Sequence, residues 1–120
     1  MRFNSALLFS DNPKALISFY TKVFGKEPKW QGGEFNGFDL TPGTLFIGPH
    51  DKVHGKNPNP ERIMLNFEVD DIQAEFVRIK GGGAKVIAEP YEPTEEKGMM
   101  LATFEDPDGN YFQLGTPMQM

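Results

Sequence analysis

The sequence predicts an α+β fold of two tandem modules, each running strand, helix, strand, strand, strand. Three observations predict it. The apolar period changes from two to about 3.6 and back again, and it does so twice. Turn-forming residues stand at each change of period, as they should between elements. Laying Ser10-Asp11 on Asp70-Asp71 also lays Leu16-Ile17 on Phe76-Val77, a constant offset of 60 residues that marks an internal duplication.

The first module opens with a strand over Phe3 to Phe9. Ser10-Asp11-Asn12-Pro13 then supplies capping side chains and a proline suited to a first helical turn. Ala15, Leu16, Phe19, Tyr20, Val23 and Phe24 recur at helical spacing until Gly25, which ends the helix. Short strands follow over Glu27 to Gln31, Glu34 to Leu40 and Thr44 to Gly48, separated by Gly32-Gly33 and Thr41-Pro42-Gly43. The second module repeats the order. A strand over Arg62 to Val69 meets Asp70-Asp71 as a cap, and Ile72, Phe76 and Ile79 line one face of a helix to Lys80. Gly81-Gly82-Gly83 stops it, and strands follow over Lys85 to Glu89, Met99 to Phe104 and Asn110 to Leu114.

A single domain is expected from 120 residues, with module one over 1–48, a linker over 49–61 and module two over 62–117. The stretch from Pro49 to Glu61 is polar, rich in Pro and Gly and without period, as a linker or mobile loop should be. The absence of Cys removes disulfides, thiolate metal sites and Cys nucleophiles together. A net charge of −5 with no run of Lys or Arg argues against nucleic acid and anionic membranes as partners. No apolar run is long enough to span a bilayer, the first residues are too short an apolar stretch for a secretory signal, and the expected location is the cytoplasm.

The last strand signal carries the most information. In Asp106-Pro107-Asp108-Gly109-Asn110, Pro fixes φ, Asp can bond its own backbone and Gly supplies a positive φ, so a tight turn feeds Tyr111 and Gln113 to one face and Phe112 and Leu114 to the other. With the duplicated unit and Phe19-Tyr20 in the first helix, this turn makes the chain resemble the vicinal oxygen chelate superfamily, the family of glyoxalase I, bleomycin-resistance proteins and extradiol dioxygenases. The resemblance runs from Phe3 to Leu114. It implies that each module curls into half of a cup-like sheet with helices outside and a ligand inside, and that the protein forms a homodimer.

Strand alternation divides the side chains of such a cup. Phe3, Ser5, Leu7 and Phe9 oppose Asn4, Ala6 and Leu8; Ile63, Leu65, Phe67 and Val69 oppose Arg62, Met64, Asn66 and Glu68. If the more apolar faces cover the helices, Asn4, Arg62, Met64, Asn66, Tyr111 and Gln113 look inward with Phe46, or with Ile47 in the other register. Trp30, the sole Trp, sits beside Gly32-Gly33 and suits a stacking wall. The aromatic residues Phe35, Phe38 and Phe104 divide between core and pocket, and Phe38 and Phe104 are carried here as pocket candidates; the facing of Phe38 depends on that of Leu40.

Metal-using members of the family place ligands on the first, fourth, fifth and last strands. The resemblance puts Asn4, Phe46 (or Ile47), Met64 and Gln113 at those positions. Phe offers no donor, a thioether suits soft ions, and neutral amides bind Zn, Fe or Ni weakly, so no metal and no cofactor are expected.

Other motifs carry less. His50 and His54 lie four residues apart with the Asp51 carboxylate between them, flanked by Pro49 and Gly55, where solvated loop histidines are the expectation. The glycine triplet follows a helix instead of preceding one and makes no phosphate cradle. Glu92, Glu95, Glu96 and Lys97 form a charged hairpin tip, and no Ser lies in a nucleophile motif. The resemblance then implies a metal-independent protein that binds and sequesters an aromatic or planar small molecule, in the manner of antibiotic-resistance members, with no catalytic residue. The competing reading is a divergent metal-dependent glyoxalase-type lyase or isomerase using Gln113, Asn4 and a loop His from a partner chain.

Overall fold

A computed structural model describes residues 1–93 and 98–117; the charged tip at Glu95, Glu96 and Lys97 lies outside them. Ten elements run in the predicted order: β1 (Ser5–Phe9), α1 (Pro13–Phe24), β2 (Trp30–Gly32), β3 (Phe35–Asp39), β4 (Thr44–Gly48), β5 (Leu65–Glu68), α2 (Ile72–Gly81), β6 (Lys85–Tyr91), β7 (Leu101–Glu105) and β8 (Tyr111–Gly115). They fall into two compact units, Met1–Gly55 and Lys56–Met120. The first unit holds a sheet in the order β1-β4-β3-β2, and the second a sheet in the order β5-β8-β7-β6. In each unit the first strand lies parallel to the last and the remaining neighbours are antiparallel. These are two βαβββ modules.

The helices form where caps and apolar spacing agree. Asn12 caps α1 by accepting the amide of Ala15, with Pro at the start and left-handed Gly25 at the end. Asp71 caps α2 by accepting the amide of Ala74 at 3.0 Å. Their covered stripes are Leu16, Tyr20 and Val23 in one and Ile72, Phe76 and Ile79 in the other, the same spacing in both. Phe38 receives the ring of Phe24 at 5.0 Å, and Phe104 lies between Phe76 at 5.3 Å and Phe112 at 5.6 Å. Each of these rings, fully buried, is worth roughly 1.5–3 kcal/mol. Phe38 and Phe104 are therefore core side chains facing the helices, and their candidacy as pocket residues is corrected accordingly.

Register decides the other faces. Ala6 pairs with Leu45 and Leu8 with Ile47, so these residues share the helix-covered side; Leu7 pairs with Phe46 on the open side. The expected parity of β1 is thus inverted: Leu7 and Phe9 are open-face residues, and Asn4, which precedes the strand, belongs by alternation to the covered side. Ser5 takes the open position, opposite Thr44. In the second unit the expectation for the strands holds, because Leu65 and Phe67 pair with buried Phe112 and Leu114 while Asn66 pairs with Gln113. Arg62 lies in a turn before β5, its amide bonded to the carbonyl of Asn59, where strand alternation assigns no face.

The modules also close alike. The amide of Ser10 donates to the carbonyl of Gly48, and that of Val69 to the carbonyl of Gly115. The cap equivalence is Asn12 with Asp71, one residue from the constant offset. Segment 49–61, expected as a linker, is tied near its middle: Asp11 accepts the amide of Gly55 at 2.8 Å, and the amide of Asn57 donates to the carbonyl of Asp108 at 2.8 Å.

Candidate functional site

The open face of the first unit alternates rings with glycines. Across the sheet one row reads Trp30, Gly37, Phe46, Leu7, and the next reads Gly32, Phe35, Gly48, Phe9. The rings lie down over the glycines beside them. A Cβ on Gly37 would stand 2.7 Å from Phe46 and 3.0 Å from Trp30, and one on Gly48 would stand 2.3 Å from Phe35. No real Cβ is tolerated at such distances, so glycine in these strands marks close approach. Trp30 and Phe46 are 6.2 Å apart by ring centroid, and Phe9 meets Phe35 edge-on at 6.0 Å. Much of this surface faces solvent: Leu7 is 56% exposed, Trp30 45% and Phe35 38%. Exposed apolar area on that scale is the kind that marks ligand or partner contact.

Polar groups bound the rings at either end. Toward β3's end, Ser5, Thr44 and Asp39 form the next row. The Asp39 carboxylate accepts the amide of Thr41 at 3.1 Å and its hydroxyl at 2.9 Å, and these bonds hold its pKa below 3.8, with Lys29 at 3.7 Å assisting. Lys29 also places its ammonium 5.1 Å from the Trp30 ring centroid. Beyond Gly48, two residues along β4's direction, His50 packs edge-on against Phe9 at 5.0 Å. Its Nδ1 accepts the amide of Lys52 at 3.1 Å.

The open face of the second unit has the same rows and different chemistry. Asn66, Gln113 and Thr103 stand side by side where Leu7, Phe46 and Gly37 stand in the first unit. Tyr111 and Glu105 form the next row, with Lys85 paired to Glu105 at 3.6 Å. Among the described residues the side-chain amides of Asn66 and Gln113 have no hydrogen-bond partner. Met64 precedes β5 and is 38% exposed.

Of the sequence candidates, the structure brings Trp30 and Phe46 together on one face and Asn66, Gln113 and Tyr111 on another. It sends Phe38 and Phe104 to the cores and leaves Asn4 and Arg62 outside the strands. Sequence reasoning missed Leu7, Phe9 and His50 on the ring-bearing face. The signals that could have found them were Gly37 and Gly48, glycines inside strand patterns beside aromatic residues.

The side chains at the positions that the resemblance assigns to metal ligands do not fit a Zn, Fe or Ni ion. Register makes Ser5, not Asn4, the counterpart of Met64, so the first unit offers a hydroxyl and the Phe46 ring, and the second a thioether and the Gln113 amide. A hard or borderline dication requires about three good His, carboxylate or thiolate ligands. Among the described residues no three His, Cys, Asp or Glu are grouped to hold a metal ion.

Two βαβββ modules, each a mixed four-stranded sheet with one helix on one side and an open face on the other, define a glyoxalase-fold protein. The family model described as Glyoxalase-like domain matches residues 6–115, and the chain belongs to that family. Its fold is similar to that of a glyoxalase/bleomycin resistance protein/dioxygenase family enzyme from Burkholderia phytofirmans, at TM-score 0.75 and 22% identity over 96% of this chain and 98% of that one. A glyoxalase-related enzyme from Fulvimarina pelagi is similar at TM-score 0.76 and 16% identity, over 97% of this chain and 88% of that one. A glyoxalase/bleomycin resistance protein from Catenulispora acidiphila is similar at TM-score 0.68 and 19% identity, over 98% and 97%. At these identities the likeness is one of fold. No curated protein matches the chain in sequence. No helix among the described residues is long and apolar enough to cross a membrane.

Proposed function

We propose that this protein binds a planar aromatic small molecule on the ring-and-glycine face of its first module, without a metal and without turning it over. The observation that carries this reading is the close seating of the Phe46 and Trp30 rings over Gly37 and of the Phe35 ring over Gly48, with Trp30 45% and Phe35 38% exposed. A preformed surface of rings with polar groups at its ends suits a ligand with a planar body, since the area contributes affinity and the polar groups orient it. The side chains at the family's ligand positions support the metal-free part, because Phe46 and Met64 replace the donors a catalytic metal needs. Sequestration of the bleomycin-resistance type requires binding alone, and two of the similar structures carry that family description.

Trp30, the sole Trp, makes the test direct. A planar aromatic probe that does not absorb at the excitation wavelength should quench or shift its emission saturably, and the freshly purified protein should carry no stoichiometric Zn, Ni or Fe by elemental analysis. One such ion per chain overturns the metal-free reading, and no saturable response to any of a panel of planar probes overturns the ligand class. Native mass spectrometry of the same sample checks the homodimer that we propose with it.

A further inference from the structure

We propose that His50 is the polar recognition point of this aromatic face, and that the ligand therefore carries a hydrogen-bond acceptor, a carbonyl or carboxylate oxygen, at one end of its planar body. The inference rests on the planar-ligand reading and specifies the ligand further. His50 lies two residues beyond the end of β4 with its ring against Phe9, so it stands at the end of the ringed rows. Three contacts fix it. Its carbonyl accepts the amide of Val53 at 3.1 Å, its ring meets the edge of Phe9 at 5.0 Å, and its Nδ1 accepts the amide of Lys52 at 3.1 Å. The loop that carries it is closed by the bond from Gly55 to Asp11.

The Nδ1 contact determines which nitrogen can act. An imidazole nitrogen that accepts a hydrogen bond carries no proton, so in the neutral ring the proton is on Nε2. Asp51 also brings a carboxylate oxygen to 3.3 Å of Nδ1, but its side chain is 86% exposed and water competes for it, whereas the Lys52 amide is held by the turn. A protonated ring has hydrogen on both nitrogens. Nε2 is therefore a donor in either form, on a side chain that is 43% exposed and makes no Nε2 bond among the described residues. An oriented donor at the edge of a flat aromatic surface recognises an acceptor on the rim of a flat ligand, which is how a few fixed polar groups give an apolar site its specificity.

The experiment compares two probes of the same ring body, 2-naphthoate and 2-methylnaphthalene, by saturation-transfer NMR titration of the full-length protein. In His50→Phe, which keeps the edge contact with Phe9, the ratio of naphthoate to methylnaphthalene affinity should fall about tenfold, the worth of one hydrogen bond to a charged acceptor. His50→Gln, whose Nε2 can still donate, should recover part of it, and Lys29→Gln, which removes the cation at the other end of the face, should lower the ratio less than His50→Phe does. Long-range proton–nitrogen spectra of the free protein should show the His50 proton on Nε2. An unchanged ratio in His50→Phe, or a ratio lost only in Lys29→Gln, overturns the role of His50 while the planar-ligand reading stands. Binding of neither probe to the wild type overturns both.

Discussion

Removing the Asp106 carboxylate should be the most damaging single change in the second module's last turn. Asp106 is 3% exposed. One carboxylate oxygen accepts the amides of Asp108 at 2.9 Å and Asn110 at 3.0 Å and the side-chain amide of Asn110 at 3.2 Å; the other accepts that same side-chain amide at 3.0 Å. Asn110 in turn receives the side chain of Asn57 at 3.0 Å, so the carboxylate organises both the turn and the segment entering the module. Asp106→Ala orphans two backbone donors and one side-chain donor. At about 1 kcal/mol for each, with water reaching part of the site, the loss is about 3 kcal/mol. Asp106→Asn keeps an oxygen for the backbone donors but turns an NH2 toward that of Asn110, and should cost about 1 kcal/mol. With about 4 °C per kcal/mol for a chain of this size, the melting temperature should fall by about 12 °C in the first variant and about 4 °C in the second. Urea unfolding followed by far-UV circular dichroism gives the same ordering as shifts in midpoint. If both variants stay within about 0.5 kcal/mol of wild type, as an ordinary surface substitution would, the turn is held by its backbone alone and the reasoning fails.

Three further outcomes test the aromatic face and its border. Phe46→Ala removes the ring over Gly37 and should weaken a planar probe about tenfold, the upper end of what one aromatic contact contributes, with little change in fold; unchanged quenching of Trp30 would exclude Phe46 from the surface that binds. Gly48→Ala forces the Phe35 ring off the sheet, and since that ring borders solvent it can swing away, so stability should fall by only about 1 kcal/mol while probe binding is lost; the reverse order of effects would make the face a closed core. Asp39 has its pKa lowered by its bonds to Thr41, so its contribution is present above the unfolded value of 3.8 and is lost as pH falls through the lower folded value. Asp39→Asn should therefore differ from wild type in thermal stability at neutral pH and converge with it in acid below 3.8; a difference that persists there would place the effect outside the carboxylate's charge.

The elements were legible because their signals are local. Caps at Asn12 and Asp71, the stripes Leu16-Tyr20-Val23 and Ile72-Phe76-Ile79, and glycine or proline at the turns each state their structure within a few residues. The face of β5 was legible too, since Leu65 and Phe67 alternate with Asn66 and Glu68 and only one side can be buried. Strand β1 defeats the same rule. Ser-Ala-Leu-Leu-Phe is apolar on both sides, and choosing the more apolar side as core fails when the open side is itself aromatic. Phe38 was undecidable for a related reason: Phe35 and Phe38 are three apart, so they fall on opposite faces, and only pairing with Leu45 and the ring of Phe24 says which one is buried. His50 looked like a solvated loop residue because nothing in its neighbours announces the packing against Phe9, a contact between residues far apart in sequence.

The two modules show how one framework can carry two chemistries. Their last strands have the same pattern of cover, with Leu45, Ile47 and Gly48 buried in one and Phe112, Leu114 and Gly115 in the other. The buried side chains Leu45 and Ile47 in one and Phe112 and Leu114 in the other are apolar, because each module must bury a core of its own to hold its helix. The open positions between them bear no such duty. Phe46 and Gln113 occupy the same place in register, as do Leu7 and Asn66, yet one pair builds an apolar surface and the other presents two amides. Substitution at these positions changes what the face can recognise and leaves the core untouched, so one glyoxalase-like fold carries a ring-bearing face in its first module and an amide-bearing face in its second.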